Sequence, residues 1–408
     1  MEELDIREIE SKVILNSKGE KTIETDVYTE TGFGRASAPA GTSAGKHEVE
    51  QTPEEPEKLV KKAEKELYPS LIGINSSKQE EIDEKIKEID GTEKLENYGA
   101  AITLPLSIAV AKAAAETKNQ PLYYHLKERE EYLIPQPLGK LISGGRHTKK
   151  GKKKGPEIQE FLCIPLKTNS FKESCLINVK MQEKVGEILK EKDECFTGGK
   201  GLENGYTTTL TNEEALETIQ KAREKTLEET EFEGEIKLGI DAAATEYYEN
   251  GKYIYRDKER TPEEQLEYMK KLIEEHELDY VEDPFHEEDF EKHAELTEEK
   301  PETNICGDDL FTTNTERLEK GMEKKACNSI IIKPNQIGTL TETEKTIKKA
   351  REEEYTTIIS HRSGETNDSF ITHIALAQNI PIIKTGITGG ERTSKLNELL
   401  RIEHYLSR

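Results

Sequence analysis

Ser329 to Leu340 reads SIIIKPNQIGTL: three isoleucines lead into a single lysine, Lys333, and then into a Pro/Asn/Gly loop. A short β-branched run closed by loop formers is strand-like, and a strand that is apolar at successive positions needs cover on both faces. Five further runs share the pattern. IKLGID ends on Asp241, LDYVED carries Glu282 and Asp283, and NICGDD ends on Asp308 and Asp309, while TTIISHRSGE presents His361 and IPIIKTG presents Lys384. The steps from Asp241 to Lys384 are mostly roughly 25 residues, the first about 40, which is room for a strand, a loop and an amphipathic helix. Successive βα units with doubly buried strands predict a closed parallel (β/α) barrel, whose C-terminal strand ends converge over one mouth. Three carboxylates and two lysines are expected to meet there.

The segments between these runs have helix grammar. Thr261-Pro262-Glu263-Glu264 offers an N-cap, a proline at the first helical position and a capping-box glutamate, followed by Leu266, Met269, Leu272 and Ile273 on one face. Thr341 with Glu344 is expected to repeat that cap. Upstream of the barrel, residues 5–36 alternate apolar and polar positions around turns, as an antiparallel meander does. Residues 53–128 look helical, and Pro105 is expected to begin or kink the alanine-rich helix ITLPLSIAVAKAAAE. YLIPQPLG, Tyr132 to Gly139, carries two prolines and marks the expected domain boundary, giving an α+β domain over 1–130 and the barrel over 131–408.

The chain has 408 residues, a net charge of −24 and only 33% hydrophobic residues, but the apolar residues fall in periodic blocks, which disfavours disorder. The acidic balance argues against general nucleic-acid binding. Five lysines between Lys149 and Lys154 lack interleaved aromatics and are expected to form a solvated loop. Five cysteines with no CxxC pair fit a reducing compartment. The charged N-terminus shows no secretory core, and the longest apolar stretch, Ala100 to Ala115, is short for a membrane span and contains Lys112, so a cytoplasmic chain without a membrane span is expected. Gly41 to Lys46 superficially suggests a phosphate-binding loop, but it is one residue short and His47 stands where a Ser or Thr is needed.

The chemistry follows from residue types. Asp241, Glu282 and Asp308 supply hard oxygen ligands without nearby thiolates, which suits magnesium rather than zinc. Arg362, Ser363 and Lys384 can bind a phosphate and a carboxylate. Lys333 can serve as an amine base if Lys384 and a metal charge keep it neutral.

VEDPFHEEDF, GDDLFTTN, KPNQIGTLTE, SHRSGET and KTG...GER stand in the order and register of the enolase family, and the chain resembles a divergent, archaeal-type member over residues 5–406. The resemblance implies an enolase-like α/β fold, a (β/α) barrel with an N-terminal α+β capping domain. It also implies the reversible dehydration of 2-phosphoglycerate to phosphoenolpyruvate, in glycolysis and gluconeogenesis, with two magnesium ions per site and a homodimer or higher homo-oligomer. Lys333 is then the base that takes the C2 proton and Glu203, in GGKGLENG, the acid, supported by Glu160; Gln159, His361, Arg362, Ser363, Lys384 and His147 face substrate. Asp241, Glu282 and Asp308 hold one metal, and Ser43, in a mobile lid, a second. A Lys or His base beside one or two magnesium ions is general to the wider superfamily. Leu202 replaces the family's aspartate before Glu203, and an apolar neighbour is expected to favour a protonated Glu203 by desolvation. Two other readings stay open: a superfamily barrel acting on another carboxylate, and a non-catalytic paralogue used for binding or structure.

Overall fold

The computed structural model describes residues 3–41, 45–148 and 154–408. Ser43 and four lysines of the run, Lys149, Lys150, Lys152 and Lys153, lie outside the described residues; Lys154 is exposed.

The N-terminal segment alternates as expected, and β1 (Glu8–Leu15), β2 (Lys21–Tyr28) and β3 (Phe33–Ser37) form an antiparallel sheet in that order. The sheet lies on the helix Ala100–Thr117. This helix is long and apolar enough to cross a membrane, but 83% of it is buried inside the fold, and packing accounts for its composition. It begins at Ala100 and runs through Pro105, so the proline neither starts nor ends it. Contact with the sheet is close because both partners are small. A Cβ added at Gly34 would lie 1.9 Å from the Ala109 carbonyl oxygen and 2.5 Å from the Ala113 nitrogen, both rigid helix backbone. Gly34→Ala is therefore expected to destabilise the protein by about 2–3 kcal/mol, the cost of overpacking a close-packed core, read as a lower urea midpoint, with the kcat of the folded fraction unchanged.

The C-terminal part closes into a barrel. Its strands are β4 (Gln136–Ser143), β5 (Glu160–Leu166), β7 (Glu235–Asp241), β11 (Leu278–Glu282), β12 (Asn304–Gly307), β13 (Ser329–Ile332), β14 (Thr356–Ser360) and β15 (Ile382–Lys384), with β15 pairing back on β4. The two-residue β6 (Tyr206–Thr207) adds to the end of β4, and β8 (Tyr248–Glu249), β9 (Lys252–Ile254) and β10 (Glu259–Arg260) make a small sheet after β7. The barrel is not all-parallel. β5 runs antiparallel to both β4 and β7, and only the remaining pairs are parallel. The reason is the connection: among the described residues, 144–159 hold only the single 3-10 turn Gly145–His147 and no crossover helix, and a parallel neighbour cannot be reached without one. Between β5 and β7 the chain instead makes two helices in succession, Phe171–Lys192 and Asn212–Glu229.

Helix caps follow the sequence in one place and correct it in another. Thr261 makes the capping box with Glu264 at the head of Pro262–His276, and Leu266, Met269, Leu272 and Ile273 are buried. The cap of Leu340–Glu352 is Thr339, which accepts from the Glu342 N–H; Thr341 instead donates to Asp83 Oδ2 at 2.6 Å and ties the barrel to the helix Gln79–Asp90. Thr339 fits the same Thr-x-x-Glu spacing, and the cap falls where the chain leaves Gly338 in an extended conformation. Thr103 donates to the Gly338 carbonyl and Ser107 accepts from the Leu340 N–H, so the N-terminal domain grips the loop that follows Lys333.

Candidate active site

Side chains from most barrel strands fill the interior: Leu138, Leu162, Ile164, Tyr280, Cys306, Ile331 and Ile358 form a cluster of their own, with Leu166 and Ile382 against it. Side chains alternate along a strand, so two residues further on the chain again faces inward. The next inward layer is polar. Tyr280 is followed by Glu282, Cys306 by Asp308, Ile331 by Lys333, Ile358 by Ser360, Ile382 by Lys384 and Leu138 by Lys140. On β7 the lower position is Gly239, where a Cβ would meet the Tyr280 Cβ at 2.8 Å, and Asp241 stands above it. Antiparallel β5 contributes in reverse: Glu160, two residues before Leu162, enters the layer from the start of its strand and is paired with Asp241.

A cavity opens over this layer. Lys333, Lys384, Asp241, Asp308, Gln159, Glu160, Glu203, His147, His361, Arg362 and Ser363 all line it, while Glu282 is fully buried beneath. His147 thus faces the cavity despite the long interval to Gln159. Ala40 is joined to the same rim, since Ala40 and Gly364 exchange backbone hydrogen bonds at 2.8 Å beside Ser363.

One wall carries the lysines. Lys384 donates to Glu282 Oε2 at 2.6 Å and to Asp241 Oδ2 at 3.0 Å, with Glu160 Oε2 at 3.5 Å. Burial pushes its pKa down, but these carboxylates override it and hold Lys384 well above its ordinary value. Lys333 pairs with Asp308. Burial again works downward and the Asp308 carboxylate upward, and the carboxylate wins, so Lys333 is held charged. The expectation of a neutral Lys333 depends on a metal charge as well as on Lys384, and the nearest charge to Lys333 is Asp308.

The other wall, which meets the first where Glu160 approaches Lys384, holds Glu160, Glu203 and the two histidines. Glu203 takes a left-handed φ of 63° in the turn Leu202–Asn204, a conformation L side chains adopt rarely and one associated with functional turns. Its Oε2 lies 3.3 Å from Lys140 Nζ and 3.4 Å from His361 Nε2, and its Oε1 3.8 Å from His147 Nε2. Burial raises the Glu203 pKa, but Lys140, His147 and His361 bring it well below the carboxylate range. Glu160, buried and beside Glu203, is pushed up to about 8. Of the two carboxyls, Glu160 is the one whose surroundings favour the protonated form. This reverses the expectation drawn from Leu202, which is only half-buried and is outweighed by the Lys140 ammonium and the histidine N–H groups that face Glu203.

Both histidines are neutral: burial and Arg392 bring His361 down to about 3, and burial and Lys140 take His147 well below its ordinary value. Arg392 Nη1 donates to His361 Nδ1 at 2.9 Å, and Lys140 Nζ donates to His147 Nδ1. A guanidinium or ammonium can only donate, so each Nδ1 accepts and each ring carries its proton on Nε2. Arg392 also donates to the Arg362 and Ser363 carbonyls, at 2.6 and 2.9 Å, and fixes the loop that bears all three residues. Arg362 is held by Glu48, at 3.1 and 3.2 Å, and by Asn335 at 3.0 Å.

A divalent cation fits the carboxylate side. Glu282 is raised well above its ordinary value by burial and by Asp241 and Asp308 beside it, and its Oε1 has no hydrogen-bond partner among the described residues. Crowded buried carboxylates with an unused oxygen are what a hard cation relieves. Asp283, Asp308 and Asp309 also approach one another within 4.8 Å, but both Asp283 oxygens accept backbone N–H groups, from Asp308 at 2.9 Å and Asp309 at 2.8 Å, which makes Asp283 a brace for that turn.

Sequence reasoning did not single out Lys140, Glu48 or Arg392. Lys140 was findable, since it follows Leu138 by two residues on a strand; Glu48 and Arg392 act only through contacts made across the fold.

Residues 131–408 match the family model "Enolase, C-terminal TIM barrel domain" and residues 6–126 match "Enolase, N-terminal domain". Among curated proteins, the chain is 45% identical to the enolase of Methanosphaera stadtmanae and 44% to that of Methanothermobacter thermautotrophicus, each alignment covering 98% of this chain and 97% of the relative. It is 39% identical to the enolase of Archaeoglobus fulgidus, over 99% of this chain and 98% of that protein.

Proposed function

The chain belongs to the enolase family, and from that premise we propose that it catalyses the reversible, magnesium-dependent dehydration of 2-phosphoglycerate to phosphoenolpyruvate. Residues 1–130 serve as the capping domain and 131–408 as the catalytic barrel, acting as a cytoplasmic homo-oligomer. The observation that carries the reading is the division of one cavity into two walls: lysines among carboxylates on one side, a proton-sharing Glu160/Glu203 pair with two neutral histidines on the other.

Arg362 and Ser363 take the phosphate, and Lys384 orients the substrate carboxylate. Asp241, Glu282 and Asp308 would hold magnesium, and Ser43 a second ion. Bound there, magnesium would supply positive charge beside the substrate carboxylate, and Asp308, engaged with it, would hold the Lys333 proton less firmly. Neutral Lys333 takes the C2 proton, and the electron pair passes into the carboxylate. It then returns to form the C2–C3 double bond as the C3–O bond breaks. The departing hydroxide receives the proton of the Glu160/Glu203 pair and leaves as water. Two carboxylates this close titrate as a unit, so the acid is the pair, with Glu203 at the substrate and the proton stored on Glu160. Gln159 and the Nε2–H groups of His361 and His147 direct the C3 hydroxyl toward that pair.

Steady-state formation of phosphoenolpyruvate from 2-phosphoglycerate with magnesium tests the proposal. Turnover within the ordinary enzyme range of about 1–10³ per second is expected. Absence of turnover in folded protein would reject it.

A further inference from the structure

Lys140 has no part in the reaction as set out above, yet it occupies the same inward layer as Lys333 and Lys384. It is 1% exposed. Its Nζ lies 3.3 Å from Glu203 Oε2 and 3.5 Å from Glu160 Oε1 and donates to His147 Nδ1, so its three N–H groups face three acceptors on three different residues. Glu160, Glu203 and His147 stand between it and the cavity. The surroundings are shaped to keep it there. A Cβ at Gly205 would come within 3.0 Å of Lys140 Cγ, and Gln182 Nε2 donates both to the Lys140 carbonyl at 3.4 Å and to the Asn204 carbonyl at 3.1 Å. The strand carrying Lys140 and the strained turn carrying Glu203 are thereby bound together.

We propose that Lys140 is a positioning residue for the C3 half of the reaction, an internal cation that holds Glu160, Glu203 and the Nε2–H form of His147 in the arrangement that hands a proton to the departing hydroxide. The proposal rests on the dehydratase reading of this site. His147, Glu160 and Glu203 approach one another closely enough to suggest a metal site, but the Lys140 ammonium already supplies the positive charge that the cluster takes. Without it, two buried carboxylates face each other with less to offset their repulsion, and either proton uptake or separation follows. His147 also loses the donor that fixes its tautomer. Lys333 lies on the other wall, beside Asp308, so removal of the C2 proton does not depend on Lys140.

Lys140→Met keeps the length of the stem and removes the charge. Relative to the wild type, its kcat for dehydration is expected to fall about 10–100-fold, the usual loss when an outer partner that orients a reacting group is removed. KM should stay within about 3-fold, and exchange of the C2 proton with deuterated solvent should persist. Lys140→Ala is expected to show the same split and to regain activity with added methylammonium. Wild-type dehydration by Lys140→Met, or dehydration and exchange lost in equal measure, would overturn the proposal. If these variants do not fold, the imidazole ¹⁵N–¹H spectrum of the wild-type enzyme decides: a neutral His147 protonated on Nε2 is required, and a proton on Nδ1 overturns it. A wild type inactive on 2-phosphoglycerate would instead reject the dehydratase reading, an outcome distinct from an active wild type matched by its variant.

Discussion

Lys333→Ala is expected to lose dehydration of 2-phosphoglycerate and exchange of its C2 proton together, by about 10²-fold or more, the effect of deleting a general base. Among the described residues no other amine is placed to replace it: Lys384 is held by Asp241 and Glu282, and Lys140 stands behind the opposite wall. Glu203→Gln should differ in kind. The amide keeps the shape of the side chain but cannot take part in carboxylate proton transfer, so dehydration fails while Lys333 continues to exchange the C2 proton. NMR of the substrate in deuterated buffer, run with each variant, reads both activities at once. Rapid exchange by Lys333→Ala, or exchange lost equally in both variants, would mean that the base and the acid have been exchanged or misassigned. A thermal melt of Lys333→Ala belongs with the experiment, since the variant leaves the buried Asp308 without its partner.

Chelation should abolish activity, and added magnesium should restore it. The expectation follows from Asp241, Glu282 and Asp308, three buried carboxylates whose mutual repulsion a hard cation removes. Stability gives an independent reading. An ion that binds the folded chain stabilises it by about 2.7 kcal/mol at one hundred times its Kd, so magnesium should raise Tm without substrate present. Glu282→Gln should lose most of that rise, because it removes the charge of the oxygen left without a partner. Full activity after rigorous metal removal would contradict the assignment, and a Tm indifferent to magnesium in both proteins would show that these carboxylates do not form its site.

The legible part of this protein is the part with a local cause. Isoleucines in succession at 330–332 form a strand buried on both faces, one against helices and one in the barrel interior, and side-chain alternation then places Lys333 two positions beyond Ile331 in the polar layer. The same rule located Asp241, Glu282, Asp308 and Lys384, and the Thr261 capping box needed only its own four residues. The cap at Thr339 was missed because two Thr-x-x-Glu spacings overlap, and only contact with Asp83 from the other domain shows that Thr341 is engaged elsewhere.

By itself, then, the sequence determined the barrel, its N-terminal sheet and most of the groups around the mouth, since periodicity and turn chemistry act over a few residues. Tertiary structure decided the direction of β5, which brings Glu160 into the layer from the beginning of a strand rather than the end of one. It also decided which groups carry protons. Asp308, not Lys384, is the nearest partner of Lys333 and favours its charged form, while the Lys140 ammonium and the His361 N–H favour the ionised form of Glu203 and burial beside it favours the protonated form of Glu160. Ionisation depends on burial and on charges within a few ångströms. Those distances join residues far apart along the chain, such as Asp241 with Lys384 or Glu203 with His361, and they exist only once the barrel has closed.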